Sequence, residues 1–426
     1  MALPLIKVNS ATGSDTEASG AGPATAVYGS TGVSAADGLT VDLSADTPDL
    51  SGVATDGSAV LFFNDTTAGQ RNFAKITDVN DGTKVVTVAN AVQASQTKGW
   101  AIGGKRASIG SSSSKKLFDE NGSAGDTQAG WIVEMESGHA ENIAARLDVR
   151  VLGSITAGRF ILRGASDAAT RPVITLSGSG DFVPRVDYQT YQDFDITGGA
   201  SYAIIGAAVI ESYLGLKITC GNGIQNPGGS SQIIGCEISG GGNGIQGTLQ
   251  GAQILGNYIH GLTGDGINYN GTISGLEIYG NVIYDCGGDG IDLTQGRIDS
   301  YGSCRIMQNV LDLCDGDGIK YSGLSASMAN LIVMNNSVSN AGVYGVDLVD
   351  AGADTIEINA YRPTFLNNNT YGSGTANFRL GDGTTGDGTI NVGDSHIDPD
   401  YTSVVGEDFT SSALADLGFP QTMPNL

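Results

Sequence analysis

Gly264-Asp265-Gly266-Ile267-Asn268, Gly288-Asp289-Gly290-Ile291-Asp292 and Gly316-Asp317-Gly318-Ile319-Lys320 are copies of one short motif. Two earlier copies, Gly221-Asn222-Gly223-Ile224-Gln225 and Gly242-Asn243-Gly244-Ile245-Gln246, carry Asn in place of Asp. Val343-Tyr344-Gly345-Val346-Asp347 is a degenerate sixth. With the central glycine as marker, successive copies lie 21, 22, 24, 28 and 27 residues apart. A second element keeps step ahead of the markers. It is an apolar column of Ile196, Ile218, Ile238, Ile259, Ile283, Leu311 and Val338. Two residues before these stand Phe194, Leu216, Cys236, Asn257, Asn281, Asn309 and Asn336, and Asn369 with Tyr371 extends both columns by one turn.

Short β-branched segments broken by glycine turns, with no helical period between them, read as strands. At this period no unit can bury a face alone, so the units must stack. Coils about 4.8 Å apart pair each strand in parallel with the next and set like residues in columns. Ile224, Ile245, Ile267, Ile291, Ile319 and Val346 then fill the interior. Asn257, Asn281, Asn309 and Asn336 form an amide ladder bonded to each other and to turn backbone. Glycine supplies positive φ and close backbone approach at the corners. The variable coil lengths belong in one loop position, where insertions are tolerated.

Composition agrees. Glycine accounts for 65 of 426 residues and proline for only 10, with 15% charged and 40% hydrophobic residues. That excludes collagen, a proline-rich linker and a disordered chain. With 21 Lys and Arg against 45 Asp and Glu the net charge is -24, which opposes binding to nucleic acid or an anionic membrane surface. No apolar run is long enough to span a bilayer. The opening Met1-Ala2-Leu3-Pro4-Leu5-Ile6-Lys7 lacks the pattern of a secretory signal, so the chain is expected to be made in a host cytoplasm and to leave by lysis or within a particle. Five cysteines and three scattered histidines without Cys-x-x-Cys give no expected metal site or cofactor.

The Asn-x-[Ile/Val] and Gly-[Asn/Asp]-Gly-Ile coils resemble the right-handed parallel β-helix family, the pectate-lyase-like superfold, from about Asp187 to Leu380 and more weakly back to Trp131. The expected fold is all-β: an N-terminal antiparallel barrel or sandwich over residues 1–105, a right-handed parallel β-helix over 106–380, and a capping segment over 381–426. In the first part, Leu39–Leu43, Ala59–Phe63 and Val85–Val88 read as strands, and Asn80-Asp81-Gly82 as a hairpin signal. Ser111–Ser114 with Lys115 and Lys116 marks the junction. Such a head before a β-helix is similar to phage structural proteins. The resemblance implies a virion protein (capsid decoration, tail spike or fibre), a homotrimer joined to other virion proteins through its N-terminal domain. Cell-surface polysaccharide is a possible ligand.

Chemistry could sit beside the marker glycines. In register, Asp289 and Asp317 lie one strand spacing apart with Asp292 and Lys320 beside them. Three close carboxylates cannot all ionise cheaply, and a raised acid beside a base or nucleophile is what a glycosidase needs. Tyr269 and Tyr321 would then stack on sugar, with Arg297 and Arg305 as further binding residues. A lyase would need a proton acceptor such as His260 and a basic groove, for which this acidic chain has few cations. The competing reading is structural: Asp and Asn are turn formers that cap backbone N–H groups, and Asn occupies the same column in two coils. That reading favours a non-enzymatic protein, with a polysaccharide depolymerase as the alternative. Cys286 and Cys314 share a column with Leu262 and Ala341 and read as buried, inert thiols.

Overall fold

The computed structural model describes residues 5–12, 27–56, 59–63, 73–89, 91–92, 94–103, 105–106, 109, 130–144, 146–149, 159–178, 181–185, 187–199, 202–206, 210–248, 250–269, 271–273, 275–294, 297–298, 303–321, 331–348, 364–366, 368–380, 391–393, 396–397 and 404–405. The expected Ser-rich junction at 111–116 lies outside them, as does most of the expected cap at 381–426. The secondary structure among the described residues is almost entirely β, with one short 3-10 turn at Ser44–Asp46 and no α-helix. The chain divides into two units, Met1–Gly199 and Ala200–Leu426.

The first unit contains a closed six-stranded antiparallel barrel, in the order Val27–Ser34, Thr40–Asp42, Val85–Val88, Phe73–Asn80, Val60–Phe63 and Thr97–Ile102. Closure leaves no free sheet edge. Val41, Leu43, Leu61, Phe63, Ile76, Val86 and Trp100 fill its interior. Burying each large side chain contributes about 1.5–3 kcal/mol. The buried indole is not left unsatisfied: Trp100 Nε1–H donates to Asp46 Oδ2 at 2.8 Å. Asn80-Asp81-Gly82 does open a hairpin turn, where Thr83 N–H donates to Asn80 Oδ1 (3.0 Å), but the positive φ falls on Lys84.

The same unit carries the first parallel rungs. Leu5–Val8 pairs on one side with Lys105–Arg106 and on the other with Ile132–Met135, which continues to Phe160–Gly164 and Gln189–Gln192. The first residues therefore lie in a parallel ladder rather than in the barrel. His139 anchors them, accepting from Ser10 N–H on Nδ1 (3.1 Å), and nearby in sequence Glu141 Oε2 accepts from Ile109 N–H (2.7 Å).

The second unit is a solenoid of three parallel ladders. The first ladder stacks Glu211–Leu214, Gln232–Ile234, Gln253–Leu255, Leu276–Tyr279, Cys304–Met307 and Leu331–Met334. The second stacks Lys217–Cys220, Glu237–Gly240, Tyr258–Leu262, Val282–Cys286, Val310–Cys314 and Ser337–Ser339. The third contains the repeated motif, with Ile224, Ile245, Ile267, Ile291, Ile319 and Val346 in one register. All six are buried, as are Ile218, Ile238, Ile259, Ile283, Leu311 and Val338. The first-to-second corner hardly varies in length. Most of the length change falls between the third ladder and the first: Gln225 to Gln232 in one coil, Asp292 to Cys304 in another.

Glycine has two separate roles. At the first corner Gly215, Gly235, Gly256 and Gly280 have φ between 58° and 66°, and Gln308 and Asn335 carry the same conformation in the next two coils. The marker glycines are needed for space instead. A Cβ on Gly266 would lie 2.5 Å from the carbonyl oxygen of Gly290, and one on Gly318 2.5 Å from that of Gly345. The stacked coils approach too closely there for any side chain.

The corner asparagines form the expected ladder. Nδ2–H of Asn257 donates to Asn281 Oδ1 (2.9 Å), of Asn281 to Asn309 Oδ1 (2.9 Å), and of Asn309 to Asn336 Oδ1 (3.0 Å). The ladder continues to Asn368, not to Asn369 as the sequence spacing suggests. Asn369 pairs with Ser337, and Thr370 rather than Tyr371 lies opposite Val338. A one-residue offset exchanges inward and outward faces, which leaves Tyr371 exposed.

Candidate functional site

The residue before each marker glycine faces a run of backbone N–H groups that turn away from the ladders. Each side chain caps the next coil. Asn243 N–H donates to Asn222 Oδ1 (3.0 Å), Asp265 N–H to Asn243 Oδ1 (2.8 Å) and Asp289 N–H to Asp265 Oδ1 (2.7 Å). Asp317 N–H then donates to Asp289 Oδ1 (2.6 Å), and Tyr344 N–H to Asp317 Oδ1 (2.9 Å). Asn and Asp serve equally, because the turn needs only an acceptor.

The second carboxylate oxygens face the residues two positions after the markers. Lys320 Nζ lies 3.2 Å from Asp289 Oδ2 and 3.4 Å from Asp317 Oδ2. Asn268 Nδ2–H donates to Asp265 Oδ2 (2.5 Å) and to Asp292 Oδ2 (3.3 Å). Asp292 Oδ1 accepts from the backbone N–H and the hydroxyl of Thr294. Burial, reinforced by the charges of Asp347 and Asp289, pushes Asp317 up to about 6. Burial also raises Asp292, with Asp289 and Asp265 adding to it. Burial pulls Lys320 down, but the surrounding carboxylates, Asp289 foremost, hold it above its ordinary value.

Asp289, Asp292, Asp317 and Lys320 are thus brought together, and the acids are committed to backbone and lysine contacts. The residues expected to bind substrate are not beside them in the same way. Tyr269 and Tyr321 are 1% and 2% exposed. They point inward, two positions after the buried Ile267 and Ile319, so neither presents a ring face to a sugar. Arg305 is outward on the first ladder, where it donates to Glu277 Oε1 (2.9 Å). The backbone of Arg297 pairs with Thr272, and its side chain lies outside the described part of the structure. Cys286 and Cys314 are adjacent in register, buried and free. Among the described residues, no group of three or more His, Cys, Asp or Glu is arranged to hold a metal ion, and no helix is long and apolar enough to cross a membrane.

A second surface was not anticipated. On the outer face of the second ladder, Tyr258 and Tyr284 are 42% and 38% exposed. His260 stacks on Tyr258 with ring centroids 4.2 Å apart and lies opposite Tyr284 in register. Polar groups border the rings: Glu237, which the Lys217 hydrogen bond holds below the ordinary carboxylate range, and Asp312, which accepts from Ser339 and Asn340. The signal for it was the middle residue of Asn257-Tyr258-Ile259, which period-two alternation turns outward. Flat, half-wet rings between hydrogen-bonding groups can hold the apolar face of a polar ligand.

Residues 199–370 match the family model described as "Right handed beta helix region". No curated protein matches the sequence. Among solved structures, the catalytic unit of a thermostable GH87 alpha-1,3-glucanase from Streptomyces thermodiastaticus is 13% identical, covering 92% of this chain and 87% of its own, with a TM-score of 0.31. The catalytic domain of a GH87 alpha-1,3-glucanase in complex with nigerose is 12% identical over 87% of each chain, at a TM-score of 0.29. The tailspike protein gp49 from Pseudomonas phage LKA1 is 12% identical over 89% of this chain and 65% of its own, at 0.20. The three parallel ladders and the family match agree: the solenoid of this chain is a right-handed parallel β-helix.

Proposed function

We propose that this chain is a phage virion protein, a capsid decoration protein or tail spike, whose rigid β-helix binds a cell-surface glycan without cleaving it. The observation that carries the reading is the exposed Tyr258–His260–Tyr284 face, set between Glu237 and Asp312. The glycan would lie along the solenoid, with ring faces on tyrosine and hydroxyls on the carboxylates. The small barrel preceding the solenoid suits attachment to other virion proteins, and the charge of -24 suits dense display in solution. Polysaccharide extracted from host cells should be retained by the immobilised protein, and Tyr258→Ala with Tyr284→Ala should lower retention at least tenfold. Unchanged retention would refute the assignment of this face, and absence of the chain from purified particles would refute the virion role.

One observation favours a depolymerase: Asp317, pushed up to about 6, sits within 3.4 Å of Lys320. A protonated acid near neutral pH is the state a glycosidase requires. Against it, Asp317 and Asp289 both cap backbone N–H groups and share Lys320. Release of reducing ends from the same polysaccharide, abolished by Asp289→Asn or Asp317→Asn, would establish the enzymatic reading instead.

A further inference from the structure

The outer face of the second ladder is a grid whose rows are successive coils. In one column Tyr258, Val282 and Val310 lie opposite one another in register, and two residues along each strand stand His260, Tyr284 and Asp312. Rows are about 4.8 Å apart and columns about 6.6 Å. The first column is apolar and open, at 42%, 41% and 46% exposure. The fold does not require this, because the same column carries Lys217 and Glu237 in the preceding coils and Ser337 in the following one. Leu313 repeats the pattern. It is exposed, and its φ of 54° is a left-handed conformation that Gly261 and Asn340 supply at the equivalent bulge in other coils. Backbone and water both disfavour a leucine there, which marks its apolar character as serving something other than folding.

A sugar ring laid on Tyr284 has His260 and Asp312 as its neighbours along the solenoid and the exposed Asp285 beside it. These can take hydroxyls. Its opposite edge lies over Val282, with Val310 at the diagonal, and meets only aliphatic carbon. A hydroxyl on that edge would lose water and gain no partner, whereas burial favours a methyl group. Charge narrows the choice further. Glu237, Asp285 and Asp312 border the grid, and Lys217 is committed to Glu237 at 2.8 Å, so a carboxylated or sulfated sugar is repelled.

We infer that this face takes an uncharged glycan bearing a methyl group, which sits on Val282 and Val310 while its sugar ring lies on Tyr284. The inference rests on the reading of the Tyr258–His260–Tyr284 face as a glycan site and names the class of sugar that site selects. Two kinds of sugar supply such a methyl. One is a deoxyhexose, in which methyl replaces the exocyclic hydroxymethyl group; the other is an N-acetylated hexosamine.

Matched monosaccharides competing with host polysaccharide for the immobilised full chain test this. L-rhamnose is set against L-mannose, L-fucose against L-galactose, and N-acetylglucosamine against glucose. In at least one pair the methyl-bearing sugar should halve retention at a roughly tenfold lower concentration, and the pair that does so identifies the source of the methyl. Glucuronate should compete no better than glucose. Val282→Thr with Val310→Thr keeps shape and strand preference but puts hydroxyls on the column, and should shrink the ratio to about threefold or less. Retention that needs Tyr258 and Tyr284 yet shows no methyl preference in any pair would overturn the proposal and leave the glycan reading standing. So would a preference that the threonine variant leaves unchanged, or stronger competition by glucuronate. Retention indifferent to both tyrosines would remove the glycan reading and this inference with it.

Discussion

Two columns of Asn and Asp run along this solenoid and solve the same problem differently. At the first corner, Asn257, Asn281, Asn309, Asn336 and Asn368 are buried and neutral. Each accepts the preceding coil's backbone N–H on Oδ1, all but Asn257 also accept the preceding asparagine's amide there, and most donate Nδ2–H both to a carbonyl and to the next asparagine. Beside the markers, Asn222, Asn243, Asp265, Asp289 and Asp317 also accept a backbone N–H from the next coil. An ionised carboxylate has no proton to pass on. The second column therefore cannot propagate by itself and recruits Asn268 and Lys320 from two positions beyond the markers. A cluster of acids that looks catalytic can thus arise from turn capping plus the need to neutralise it.

The largest effect should come from the neutral column. Asn309→Ala removes bonds to Ile278, Asn281 and Asn336 and leaves buried partners unsatisfied. Its cost should be about 3–5 kcal/mol in urea unfolding. If the loss is below about 1 kcal/mol, water has replaced the amide and the ladder is not cooperative.

A smaller effect, with a distinct pH signature, should follow Asp317→Asn. The ordinary aspartate value is 3.8, and the folded protein holds Asp317 at about 6. Between these values the folded state binds more proton than the unfolded, so Asp317 makes stability fall as pH rises through the window. Asparagine retains the acceptor for Tyr344 N–H, so the variant should lose this fall. Urea midpoints of the two proteins compared from pH 4 to 7 would show it; parallel curves would mean Lys320 neutralises the site fully.

The smallest effect should be Asn243→Asp, which extends the charged column by one coil. Asn243 donates to Gln246 and sits one rung from Asp265. Adding a charge there should cost about 0.5–1 kcal/mol at neutral pH and nothing once the carboxylates are protonated.

Much of this was legible in the sequence. The period, the interior isoleucines and the Asn257–Asn336 ladder follow from spacing, because stacked coils force like residues into register. Asn368 was missed by one residue because its motif, Asn368-Asn369-Thr370, offers two asparagines in succession. Tyr269 and Tyr321 do not stack on sugar as expected, because their distance of two from Ile267 and Ile319 places them on the same, buried face. The roles of Asp289 and Asp317 could not be separated by sequence, since a cap and a catalytic acid require the same residue in the same turn. The order of strands round the barrel depends on pairings between distant segments, which local patterns do not encode.

If the aspartate column serves as hydrogen-bond acceptors, position 289 should tolerate any side chain that keeps the acceptor. Urea unfolding should place Asp289→Asn within about 1 kcal/mol of wild type, because the acceptor for Asp317 N–H survives. Asp289→Ala should lose about 1–3 kcal/mol, because that buried N–H is then unpaired. Asparagine costing as much as alanine would contradict the account, since the charge rather than the cap would then be what position 289 supplies.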